Sequence, residues 1–237
     1  MTPFMAMFIP AIVASMGGLL AVFWSPTHQM RSLIQHFAAG VVLAALAVEV
    51  LPEIGREHAP AWILIASFTF GGLMMYGMKL WSMRLELRES HSGEESFNYG
   101  LIAATFIDVA VDGFIIGAGF AAGGNTGVIL ALGLSVELLF LGLSLVSNTI
   151  KGWRVVIMTA ALAGVVLTCT LLGNYLLSGA STSVISAILA FGVAALLYLV
   201  TDELLVEAHV IEEKPSSTLW LFAGFLVFWS IQLFSGE

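Results

Sequence analysis

The sequence predicts an all-α integral membrane protein of eight transmembrane helices, forming one transmembrane domain over residues 1–237. Three observations predict it. Mean hydropathy is +1.00 over 237 residues, and only 10% of residues are charged. The apolar residues come in long runs without the alternation of a β-barrel strand, so each run can satisfy its own backbone hydrogen bonds in lipid as a helix. Breaks at charges, proline and glycine cut the chain into eight such runs.

Each run has identifiable limits. The first, about 4–24, has no basic residue before it, unlike a cleaved signal peptide. The second, about 33–54, follows Arg31 and closes on Pro52 and Glu53. The third, about 61–83, starts after Pro60 and stops at Arg84, where RLELRESHSGEESF (84–97) forms a sizeable polar loop. The fourth, about 98–122, ends at Gly123 and Gly124, and the fifth, about 127–149, ends at Lys151. The sixth, about 153–177, stops at Ser178 and Gly179; the seventh is about 182–207, and the eighth, about 217–235, begins after Lys214 and Pro215.

The basic residues orient the chain. Arg31, Lys79, Arg84, Arg88, Lys151, Arg154 and Lys214 fall in or beside the loops after spans 1, 3, 5 and 7, against Arg56 on the other side. Positive charge is retained on the cytoplasmic face, so both termini are expected outside and loop 84–97 inside a cell (inner) membrane crossed many times. Lipid is then the surrounding partner. No stretch is basic enough to suggest nucleic acid, and no nucleophile–base pair or phosphate loop within the spans suggests an enzyme. The single cysteine, Cys169, excludes an internal disulfide and reads as a small hydrophobe inside an apolar run.

An internal symmetry is also legible. Span 2 ends AVEVLPE, with Glu49 and Glu53 four apart, and span 7 ends TDELLVEAH, with Glu203 and Glu207 at the same spacing. The two spans cross in opposite directions, the pattern of inverted repeats in secondary transporters.

Acids inside the membrane carry the chemistry. FIDVAVDGFIIGAGF (106–120) places Asp108 and Asp112 on one helix face, at i and i+4. Glu137, in LGLSVELLFLG on span 5, lies at similar depth. An isolated charge at that depth costs at least about 2.5–3.5 kcal/mol, and the basic residues lie at the membrane edges. The three acids are therefore protonated, line water, or hold a cation, and a divalent ion offsets the cost most directly. The bland alternative is a set of neutral carboxylic acids that pack helices together.

The whole pattern resembles the ZIP family of metal transporters, named for zinc- and iron-regulated permeases. HFAAGVVLAALAVEVLPE resembles the family's second helix, and FGVAALLYLVTDELLVEAH its seventh. The resemblance implies a 3+2+3 arrangement of eight helices with inverted repeats, a metal site on spans 4 and 5, no resident cofactor, and a homodimer as a candidate assembly. The core motif departs from the family. Where span 4 of the family reads His-Asn-x-Pro-Glu-Gly, this chain has Asp108, Val109, Ala110, Val111, Asp112 and Gly113. On span 5, with Gly142 as anchor, Glu137 takes the first slot, Phe140 the proline and Leu141 the glutamate; a register with Glu137 in the glutamate slot is the alternative. Val109, Leu138 and Leu141 cannot ligate, so one metal site is expected, held by Asp108, Asp112 and Glu137.

Carboxylate oxygens, water and Ser135 or backbone carbonyls form an oxygen-only donor set, which suits Mn²⁺, Mg²⁺ or Fe²⁺ and also admits Zn²⁺. Candidate pathway residues are Glu49 and Glu53 toward the outer face, and His36, Asp202, Glu203, Glu207 and His209 toward the inner face. Met74, Met75 and Met78 on span 3 read as lipid-facing or core residues. The function expected is alternating-access transport of a divalent cation, Zn, Fe or Mn. The rivals are a non-transporting ZIP-like subunit or metal sensor, and a proton or monovalent cation transporter.

Overall fold

The computed structural model describes residues 3–24, 26–56, 59–90, 99–144, 152–206 and 217–235. They form eight helices long and apolar enough to cross a membrane. In chain order these are α1 (Pro3–Ala6 and Ile9–Phe23), α2 (His28–Ala45, continuing to Arg56), α3 (Ala61–Ser90) and α4 (Tyr99–Ala122). There follow α5 (Gly124–Ser144), α6 (Trp153–Leu177), α7 (Thr182–Leu199, continuing past Leu204) and α8 (Ser217–Ser235).

Local chemistry sets the ends. α2 starts at His28 because the Thr27 hydroxyl caps it, accepting from the Met30 amide at 3.4 Å. That is five residues ahead of the limit drawn from Arg31, whose long side chain is tolerated inside the first turns. α3 runs on to Ser90, so the front of the expected polar loop is helix. His91, Glu94 and Glu95 lie outside the described residues. Between α6 and α7 the chain reverses at Gly179, whose φ of 86° is open to a residue without a Cβ.

Burial sorts the helices into centre and flank. The most apolar windows of α5 and α7 are 67% and 61% buried, whereas those of α3 and α8 are 11% and 17% buried. Exposed Trp62, Phe70 and Leu73 on α3, and Phe222 and Phe234 on α8, give those helices an apolar surface suited to lipid.

The packing has a two-fold character. α4 packs on α6 and α5 on α1; α8 packs on α2 and α3 on α7; α4 meets α7 and α5 meets α2. α1 also meets α6, α4 meets α5, and α2 meets α7. α3 touches α4, while Phe228 of α8 packs with Ile129 and Val136 of α5. Exchanging α1 with α6, α2 with α7, α3 with α8 and α4 with α5 returns the same set of pairs. Individual contacts follow it. Gly71 of α3 sits where a Cβ would lie 2.6 Å from the Phe191 carbonyl oxygen of α7, and Gly224 of α8 lies closer still to the Phe37 carbonyl oxygen of α2.

Two helices share a second irregularity. α2 widens into a π-helical turn at Leu46–Val50, and α7 does so at Val200–Leu204. Glu49 and Glu203 are each the fourth residue of their turn, and each follows its phenylalanine, Phe37 or Phe191, by twelve residues. π turns in long helices concentrate at functional sites, because the extra residue re-aims the side chains that follow.

Close backbone approach fixes α4 and α5 in the bundle. A Cβ at Gly113 would lie 2.5 Å from the Val166 carbonyl oxygen of α6, and one at Gly142 would lie 2.9 Å from the backbone of Gly17 in α1. Neither neighbour is a flexible side-chain tip, so the helices must separate to admit a larger residue. Gly113→Val and Gly142→Val are each expected to destabilise the protein by about 1–3 kcal/mol, the usual cost of overpacking. Thermal unfolding in detergent measures this, with Gly164→Val, at a position facing open space, as the neutral control.

Candidate metal centre

α4 carries two acids one turn apart, and α5 returns beside it after a turn at Gly123. The antiparallel pair brings Glu137 level with Asp108 and Asp112. One carboxylate oxygen from each of the three residues lies within 4.8 Å of the others. Asp108, Asp112 and Glu137 retain 5%, 2% and 3% of their surface exposed, so water screens them little. Among the described residues this is the one place where three or more potential metal ligands converge.

Gly113 and Gly117 both abut α6, and Gly142 abuts α1. Setting Gly142 against Gly113 puts Glu137 opposite Asp108, and setting it against Gly117 puts Glu137 opposite Asp112, so the packing admits both registers. Val109 and Leu138, in the slots beside the first acids, are fully buried apolar residues. The centre is thus one cluster of three acids.

Chemically, the cluster offers oxygen donors only. At an effective dielectric of about 20, two ionised carboxylates at this spacing repel by roughly 3–4 kcal/mol. A divalent cation reverses that repulsion and needs no large rearrangement to do so. Ser135 is buried, but its hydroxyl donates to the Ala131 carbonyl in its own helix. It sits two residues from Glu137, and residues at that spacing do not share a helix face.

A cavity of about 320 Å³ reaches the cluster. Asp108 lines it together with Met75, Lys79, Ser82, Tyr198, Asp202 and Val206. The Lys79 ammonium pairs with Asp202 Oδ2 at 2.9 Å, and both side chains are about a third exposed. Asp202 therefore lines the same cavity as Asp108. Met75 is buried in the core and Met78 packs against it, as the sequence suggested, and both also line the cavity. Lys79, counted there as an edge charge, also lies on the cavity wall. The heptad-like spacing of Met75, Met78, Lys79 and Ser82 on one face of α3 was the available signal.

At the other end, Glu49 is held by two neutral donors. Thr126 Oγ1 of α5 and Gln232 Nε2 of α8 each donate to its carboxylate at 2.9 Å. Neither donor was foreseen, since neither is charged. Glu53 pairs with Arg56 at 3.4 Å, where the arginine is 75% exposed and the pair contributes little. His36 is buried, and its Nδ1 donates to the Ser32 carbonyl at 2.8 Å. It is not a member of the three-acid cluster. The side chain of Glu203, and Glu207 and His209 entirely, lie outside the described residues. Cys169 is half-buried, beside Gly113.

No protein-family model matches the chain, and no curated protein matches it either.

Charge-neutral isosteres test the cluster directly. Asp108→Asn, Asp112→Asn and Glu137→Gln remove repulsion, so each is expected to raise the thermal stability of the metal-free protein. Mn²⁺ at about 100 times its Kd is expected to add about 2.7 kcal/mol to the wild type and much less to each variant. Packing by neutral acids predicts the reverse: no metal effect, and variants no more stable than wild type.

Proposed function

We propose that the chain is a divalent metal cation transporter that works by alternating access. The observation that carries this reading is the convergence of Asp108, Asp112 and Glu137, buried in a membrane-spanning bundle, with Asp108 on the wall of a cavity. A structural acid cluster needs no access route. A transport site needs one from each face in turn.

The distribution of basic residues makes the Lys79 end the cytoplasmic end. On that orientation the conformation is open inward. The opposite end is drawn together where Glu49 binds Thr126 and Gln232, which links α2, α5 and α8. The exchange of α1–α3 with α6–α8, and of α4 with α5, supports an inverted-repeat, 3+2+3 architecture with both termini outside. Such repeats generate alternating access, because two related halves can trade conformations about a midplane site. The likeness of spans 2 and 7 to the ZIP family adds the same expectation, and the paired π turns at Glu49 and Glu203 support it.

The donor set argues for the cargo. Three carboxylates with water suit borderline or hard divalent ions, Mn²⁺ and Fe²⁺ ahead of Zn²⁺. The absence of histidine and thiolate from the cluster removes the donors that favour zinc in particular. Monovalent ions would leave more of the cluster's charge unbalanced.

Proteoliposome uptake tests the proposal. Saturable uptake is expected for Mn²⁺ and Fe²⁺, with loss of at least about tenfold in Asp108→Asn, Asp112→Asn and Glu137→Gln, the effect of one lost charge-assisted ligand. Metal binding without flux in the wild type would favour a sensor or membrane subunit. Flux of Na⁺ or protons alone would favour the third reading.

A further inference from the structure

The π turns of α2 and α7 each present an acid to a neighbour, Glu49 and Asp202, one position apart in their turns and with different partners. Lys79 follows Gly71 by eight residues, and Gln232 follows Gly224 by eight. Those glycines make the same contact in the two halves, each against a phenylalanine carbonyl of the neighbouring helix. Lys79 and Gln232 therefore occupy equivalent places on α3 and α8. Each reaches an acid in the π turn of that neighbour: Lys79 pairs with Asp202 at 2.9 Å, and Gln232 donates to Glu49 at 2.9 Å. The geometry is repeated and the charge is not.

We propose that this substitution sets a difference in cation affinity between the two faces of the protein. The inference rests on the transport reading above. Glu49 is held by an amide and a hydroxyl, which leave its negative charge in place to attract a cation. Asp202 is held by an ammonium, which cancels its charge on the wall of the cavity leading from Asp108. Glu53 and Arg56 near Glu49 cancel each other and leave that contrast intact.

A cation arriving at the Glu49 face meets an uncompensated acid. One leaving toward the Lys79 face passes an acid that is already paired, so it is not retained. The overall equilibrium across the membrane is unchanged, because both faces lead to the same cluster. What changes is half-saturation: low on the Glu49 face and high on the Lys79 face. Lys79 and Gln232 are positioning residues for the cation's path, and neither belongs to the three-acid cluster.

Sided flux tests this. Mn²⁺ entry is measured in right-side-out and in inverted membrane vesicles carrying the full chain. Lys79→Gln is expected to lower half-saturation on the Lys79 face about five- to tenfold, the scale of one exposed charge acting on a divalent ion at this range. Maximal rate of flux entering from the Glu49 face should fall with it, since tighter retention at the Lys79 face slows release there. Lys79→Arg should keep wild-type values, and adding Asp202→Asn to Lys79→Gln should return half-saturation toward wild type. Gln232→Lys should raise half-saturation on the Glu49 face alone, and it reads the same asymmetry if Lys79→Gln does not assemble. Equal shifts on both faces, or a lower maximal rate at unchanged half-saturation, would overturn the proposal while leaving transport itself intact. A wild type that carries no Mn²⁺ from either face would overturn the transport reading and this inference with it.

Discussion

Repulsion among three buried acids is the constraint on which the rest of this structure depends. Holding Asp108, Asp112 and Glu137 within 4.8 Å of one another requires α4 and α5 to be fixed tightly, since any slack would let the carboxylates part. The fixing comes from outside the pair. α4 is pressed against α6 at Gly113, and α5 against α1 at Gly142, in both cases backbone to backbone. Without water there is little hydrophobic force between helices in lipid, so close van der Waals approach supplies the hold. The glycines that look like ordinary membrane-helix composition are thus what makes an electrostatically costly centre possible.

The π turns solve a different problem. A straight helix carries its lipid face and its core face along its whole length, yet α2 and α7 must present apolar packing at one level and an acid toward a neighbour at the next. Inserting one residue into the turn rotates everything beyond it. In α2 it presents Glu49 to Thr126 and Gln232, and in α7 it presents Asp202 to Lys79. The acids reached are one position apart, the fourth residue of one turn and the third of the other.

Much of this was legible in the sequence, and the reason is energetic. Eight spans show because lipid imposes long apolar runs, and the three acids show because charges there are rare and costly. The likeness of AVEVLPE to TDELLVE already hinted at related helices. The partners of the outlying acids were not legible. Gln232, Thr126 and Lys79 are unremarkable in their own helices, and their meaning arises only from how helices far apart in sequence are rotated against each other. Reading Lys79 as a loop-edge charge gave the orientation argument its due but missed the cavity wall, because α3 continues to Ser90. Met75 and Met78 are core residues as read, but periodicity shows only that they share a face and does not say that the face also borders a cavity.

Two of the three acids, Asp108 and Asp112, stand one turn apart on α4, and the third, Glu137, stands on α5. Two carboxylates suffice to neutralise a divalent ion. The three together offer more negative charge than such an ion needs, which favours a divalent over a monovalent cation. An ion held by all three would be fixed chiefly to α4, which supplies two of its ligands. On the proposed transport function, separating α4 from α5 would therefore leave the ion with α4 and strip it of Glu137.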